Sequence, residues 1–144
     1  MAHLRKQIRD NVVTALTGLS TLYAGSGGTE GGDDLKGKPK PLTFGKVNNI
    51  TPVRVDVANA IYQVHDGQIE AIDAVYDNGV VVATADYTND LTNGRFTLDS
   101  VSTGSITADV QGAKPSGSYK STADQIIRLL GTTYGGLTDP GALD

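Results

Sequence analysis

The chain has 144 residues, which fits one ordinary domain and not two independent cores, and its 12 Lys and Arg against 16 Asp and Glu leave a formal net charge of −4. That balance argues against a nucleic-acid module, whose affinity needs a positive footprint. No Cys is present, which excludes disulfide staples, thiolate catalysis and cysteine-type zinc sites, and with no Trp and two Phe any core is built mainly from Val, Ile, Leu, Ala and Tyr.

Residues 1–20 read as an amphipathic N-terminal helix. Leu4, Ile8, Val12, Leu16 and Leu19 recur at spacings of three and four with Ala15 on the same side, while Arg5, Lys6, Arg9 and Asp10 fall on the other faces. The basic start reads as a solvated face in preference to an anion- or partner-docking one. Charges and Gln7 interrupt the apolar stretch, so it is no signal peptide, and no run in the chain approaches the roughly eighteen apolar residues of a membrane helix.

Residues 21–46 form a Gly-rich loop or linker. Its middle, 25–40, holds six glycines and almost no apolar residue, so it is expected to be exposed and to contribute no core by itself. Residues 47–112 read as a β domain. Val53, Val55 and Val57 alternate with Arg54 and Asp56, and Ile69, Ala71, Ile72, Ala74 and Val75 make a mostly buried strand. Asn78-Gly79 supplies the two φ-positive positions of a type I′ turn between Ile69–Tyr76 and Val80–Thr84. A second Asn-Gly, Asn93-Gly94, precedes Arg95–Leu98, and Gly104 precedes Ser105–Val110.

Residues 113–144 carry a C-terminal helix and tail. Ser121 with Asp124, or Thr122 with Gln125, gives a capping-box start; Ile126, Ile127 and Leu130 supply the apolar stripe; Gly131 is expected to end the helix, leaving a frayed tail from Thr132. The fold class is mainly β (α+β): a small antiparallel β meander or sandwich flanked by an N-terminal and a C-terminal helix.

Four motifs invite chemistry. Gly32–Pro39 has P-loop spacing up to its last position, where Pro39 replaces the Mg²⁺-binding hydroxyl and two acidic residues inside the loop would repel phosphate. His65-Asp66 has the residue types of a base and its orienter, but no nucleophile motif accompanies it and adjacent strand residues face opposite ways, so a structural role is read there. His3 and His65 have no zinc-ligand spacing. Asp86, Asn89, Asp90 and Asn93 form an oxygen-rich cluster without EF-hand spacing, read as turn chemistry. No carboxylate pair stands out for glycoside hydrolysis. No catalytic, cofactor-binding or metal-ligating residue is assigned, no cofactor is expected, and the chain reads as a non-enzyme.

From Leu22-Tyr23-Ala24-Gly25 through Gly37-Lys38-Pro39-Lys40-Pro41-Leu42-Thr43-Phe44-Gly45 the sequence resembles a family of tail proteins of tailed bacteriophages and prophages. The likeness continues at Tyr62-Gln63-Val64-His65-Asp66-Gly67, at Ala71-Ile72-Asp73-Ala74-Val75-Tyr76-Asp77-Asn78-Gly79-Val80, and at Gly104–Gly112, and it covers roughly Leu22 to Asp144. The opening, Ile8-Arg9-Asp10-Asn11-Val12-Val13-Thr14-Ala15-Leu16, instead resembles a tail-completion or terminator protein. The resemblance implies a structural tail component of the tail-tip, hub or baseplate kind, made in the bacterial host cytoplasm and residing in the virion. Its partners would be other tail subunits in a homo-oligomer, with no nucleic acid and no membrane. It carries over no catalytic residues. The competing classes are a monomeric carbohydrate- or Ca²⁺-binding β module and a small hydrolase using His65 and Asp66.

Overall fold

The computed structural model describes residues 21–138; the helix expected over 1–20 and the end of the tail, 139–144, lie outside the described residues. The strands are β1 (Lys46–Ile50), β2 (Val53–Asp56), β3 (Ile61–Gln63), β4 (Ile69–Asp77), β5 (Val80–Val81), β6 (Tyr87–Asp90), β7 (Arg95–Leu98) and β8 (Ile106–Ala113), followed by helix α1 (Ala123–Leu129). They form two four-stranded antiparallel sheets, ordered β1-β8-β4-β5 and β2-β3-β7-β6. Of the two expected arrangements the sandwich is the one formed. A meander would pair sequence neighbours, whereas β8 inserts between β1 and β4.

The β8–β4 pair is the frame of the first sheet. Along β8, Ile106, Ala108 and Val110 are buried while Thr107, Asp109 and Gln111 are half-buried, the alternation of a strand with one face on the core. Val110 lies opposite Ile72 and Ala108 opposite Val75, so three steps on β4 match two on β8; a bulge between Ile72 and Ala74 absorbs the difference at Asp73. This explains why the apolar residues of β4 do not follow strict alternation. The outer face of this sheet is polar: Gln111 Nε2 donates to Asp73 Oδ1 over 3.0 Å, and Tyr76 OH donates to Asp109 Oδ2 over 2.9 Å.

The second sheet closes the core with the aromatic residues. Tyr62 and Phe96 stack with ring centroids 5.3 Å apart and Tyr87 meets Phe96 edge-on at 6.3 Å, against Ile72, Val75, Ile106, Ala108 and Val110 of the first sheet. Phe96 is fully buried, and burying such a side chain is worth about 1.5–3 kcal/mol.

The Asn78-Gly79 hairpin forms as the sequence predicts, with φ of 49° and 80° at its two central residues and Asp77 paired with Val80. Its second strand is shorter than expected. β5 ends at Val81 and a 3₁₀ turn at Thr84–Asp86 carries the chain across to β6 in the other sheet. Because β5 pairs only with Tyr76 and Asp77, the earlier part of β4 has no strand on that side among the described residues. Asn93-Gly94 closes a longer loop between β6 and β7, in which Gly94 alone of the pair has positive φ.

The glycine-rich stretch is exposed, as expected, yet folded on itself. Leu22 and Pro39 form an isolated bridge, Tyr23 N donates to Lys38 O over 3.0 Å, and Gly37 N donates to Tyr23 O over 2.9 Å. Within it, positive φ at Gly25, Gly27, Gly28 and Gly31 lets the backbone close short internal hydrogen bonds such as Gly27 N to Gly31 O.

Of the two predicted caps for α1, Thr122 with Gln125 is the one used, and Gln125 Oε1 accepts from both Ser121 N and Thr122 N. The expected stop at Gly131 is corrected: the chain continues in a π-helical turn over Leu130–Tyr134. The expected stripe is corrected too, since Leu129 is the buried residue and Ile127 is exposed. Nor is the start of the tail frayed, because Tyr134 packs edge-on against Phe44 with centroids 6.1 Å apart.

Candidate functional site

His65 is buried at the end of the sandwich where β4 begins, beside the strap of chain leading into β1. The backbone N–H of Thr43 donates to its Nδ1 over 2.9 Å, which places the ring proton on Nε2, and Phe44 meets the ring edge-on at 5.9 Å. Burial pushes the imidazole pKa down to about 4, opposed by the nearby negative charge of Asp66. Asp66 does not orient the ring; its Oδ2 accepts from Thr21 Oγ1. Around them Tyr23 OH donates to Gln63 Oε1 over 2.6 Å, Gln63 Nε2 donates to the carbonyl of His65, and Thr43 Oγ1 donates to the carbonyl of Val64 over 2.7 Å. The cluster therefore pins the strap to the sheet and presents no base–orienter pair. Burial raises the Tyr23 pKa further above the ordinary phenol range, with Arg95 opposing it.

The oxygen-rich residues do not converge. Asp86 sits in the 3₁₀ turn before β6 and Asp90 at its far end, roughly 13 Å away along the chain at about 3.3 Å per residue. Asp90 Oδ2 accepts from Asn93 Nδ2 over 2.8 Å, an Asx-type turn repeated where Asp56 Oδ2 accepts from Asn59 Nδ2 over 2.8 Å. Asn89 is exposed on β6. Among the described residues no group of three or more His, Cys, Asp or Glu is placed to hold a metal ion. In Gly32–Pro39, turns occupy the stretch, no helix follows Lys38, and Pro39 instead bridges to Leu22.

The loop ends of the sandwich are the surfaces that remain. At the end defined by the Asn78-Gly79 hairpin, Arg54 Nη2 donates to Val57 O over 3.0 Å and Nη1 to Ser102 O over 3.4 Å. Ser102 Oγ donates to Asp77 Oδ2 over 2.6 Å, and Asn78 exchanges bonds with Ser105, its N donating to Ser105 O and its Oδ1 accepting from Ser105 N. This bracing ties strand β5, with Val80 and Val81, to the loops that carry Val57 and Val101; all four are exposed, Val80 at 70%. A cleft of about 400 Å³ beside them is lined by Asp77, Val82, Asp86, Leu98, Asp99 and Ser102. Toward the opposite end a second cleft of about 400 Å³ is lined by residues including Ser118, Lys120, Gln125, Arg128 and Thr132, with exposed Ile127 and Leu137 on the same C-terminal segment.

No protein-family model, no curated protein and no solved structure matches the chain. Sequence reasoning missed the valine end altogether. Val57 and Val80 look like core positions of alternating strands, but β2 ends at Asp56 and leaves Val57 in a turn, and Val80 sits on the two-residue edge strand β5, so both are exposed.

Proposed function

We propose that this chain is a structural component of a bacteriophage or prophage tail, acting through protein–protein contacts in an oligomeric assembly. The observation that carries the reading is the gathering of Val57, Val80, Val81 and Val101 on one hydrogen-bonded loop end. Scattered exposed valines are ordinary on a soluble domain; several on a braced frame form the kind of patch that a partner covers. The tail-protein phrases of the sequence point the same way. Light scattering on the full chain over a range of concentrations tests it: particles of several subunits are expected, and a monomer throughout would overturn the reading in favour of a monomeric binding module.

A further inference from the structure

We propose that Asn78 is a self-modifying site, converting through a cyclic imide to aspartate and isoaspartate, and that the fold shields the other Asn-Gly pair, Asn93-Gly94, from the same reaction.

The chemistry needs an asparagine followed by a backbone nitrogen that can reach its side chain. The Gly79 nitrogen, on losing its proton to solvent, attacks Cγ of Asn78. The N–Cγ bond forms, the Cγ–Nδ2 bond breaks, and Nδ2 leaves as ammonia with a proton taken back from solvent. Water then opens the imide at one of its two carbonyls. Glycine suits the second position because no β-carbon stands in the way of the attack. Sequence alone does not separate the two Asn-Gly pairs; their surroundings do.

At the hairpin tip Asn78 and Gly79 are both exposed, and a β-carbon on Gly79 would meet nothing within 4 Å, so the peptide plane between them has room to turn. The backbone N–H of Ser105 donates to Asn78 Oδ1 over 2.9 Å, and the Asn78 N–H, bonded in return to the Ser105 carbonyl, holds the side chain against that donor. Negative charge gathers on Oδ1 as the nitrogen adds, and a fixed donor aimed at developing charge lowers the barrier.

At the second pair each condition is reversed. Gly94 is buried, its carbonyl accepts from Val64 N over 2.8 Å, and the carbonyl oxygens of His65 and Gly67 crowd the position of its missing β-carbon. Asn93 Nδ2 donates to the Asp90 carboxylate over 2.8 Å, and that charge opposes a second negative charge building on the same amide.

The product alters the valine end. Isoaspartate carries the chain through the side-chain carbon and lengthens a two-residue turn by one backbone atom, and either product puts a carboxylate beside Asp77. β5 pairs with Tyr76 and Asp77 across that turn and carries Val80 and Val81. The conversion does not rest on the assembly reading; its effect on subunit contacts does.

The test incubates the full chain in mildly alkaline buffer, diluted until light scattering shows monomers, with a parallel sample in urea. Proteolysis and fragment mass spectra then place each amide-to-acid conversion. In the folded chain Asn78 should convert at least about tenfold faster than Asn93, and in urea the two rates should converge. Ser105→Pro removes the donating N–H and should slow Asn78 about tenfold in a chain that circular dichroism shows to be folded. Where that variant does not fold, the parent decides, since a donor that assists keeps the native rate at Asn78 at or above its rate in urea. Equal native rates at the two sites, a native rate at Asn78 well below its urea rate, or an unchanged rate in folded S105P each overturn the proposal. A chain that is monomeric at every concentration removes the assembly reading and leaves these rates to be read as before.

Discussion

The backbone N–H of Thr43 points at Nδ1 of His65 over 2.9 Å, a bond that only the neutral imidazole can accept. The ring is 3% exposed, and burial lowers its pKa to about 4 from an ordinary 6.5. The unfolded chain therefore takes up this proton before the folded one does. The contribution to stability is fully present above pH 6.5 and is lost as pH falls toward 4, amounting to about 3 kcal/mol in all. Urea unfolding across that range should show a slope up to about 1.4 kcal/mol per pH unit steeper in the parent than in His65→Gln. Equal slopes would mean that the ring is not held neutral.

Two glycines with positive φ should respond differently to the same substitution. At Gly79 an added β-carbon meets nothing within 4 Å, so Gly79→Ala costs only backbone strain, about 1 kcal/mol. At Gly94 it would run into the carbonyl oxygens of His65 and Gly67, and the Gly94 carbonyl itself accepts from Val64 N over 2.8 Å. Gly94→Ala should cost about 3 kcal/mol or more. Denaturation midpoints of the two variants check this, and equal losses would contradict the close approach.

Tyr23→Phe removes the donor that satisfies Gln63 Oε1 in a buried site, at an expected cost of about 1–3 kcal/mol. Because Tyr23 also anchors the ribbon next to the Lys36–Gly37 bond, trypsin should cut the variant there faster than the parent. Similar cleavage rates would show that the hydroxyl does not hold the ribbon.

Deleting Asp73 should be tolerated. The bulge leaves Ile72 opposite Val110, Ala74 opposite Asp109 and Val75 opposite Ala108, so the shortened strand keeps every one of these pairs in regular alternation. The losses are the exposed bonds from Gln111 and a 3.8 Å pairing with Lys46. Deleting Ala108 instead shifts the buried face of β8 out of register and should unfold the chain. The straightened β4 edge of the Asp73 deletion should aggregate more readily, since a bulge is one of the devices that keep an open edge unpaired. Circular dichroism and turbidity on the two deletions separate these outcomes.

Local signals carried the sequence reading as far as they reach. Asn78-Gly79 was legible because two adjacent positive φ values have few other solutions, and Thr122 with Gln125 because capping is a contact between near neighbours. Sheet order was not legible, since nothing near Ile106 says that β8 lies between β1 and β4. β6 went unseen because three of its four residues, Thr88, Asn89 and Asp90, are exposed and polar. Gly131 misled because a glycine in a helical pattern is a stop only if the next residues have nothing to pack on, and Tyr134 has Phe44. At the candidate site, the aspartates could be found in the sequence, but their sharing a cleft with Leu98 depends on contacts across both sheets.

The bridge between Leu22 and Pro39 also makes the glycine loop a natural graft point. Its two ends are held side by side by Tyr23, so whatever is spliced into the exposed tip at Asp33-Asp34 begins and ends at nearly the same place in space. The entropic penalty of lengthening such a closed loop grows only with the logarithm of its length. An epitope, a fluorophore-binding tag or a small folded domain can therefore be displayed from this ribbon without stretching the sandwich beneath it.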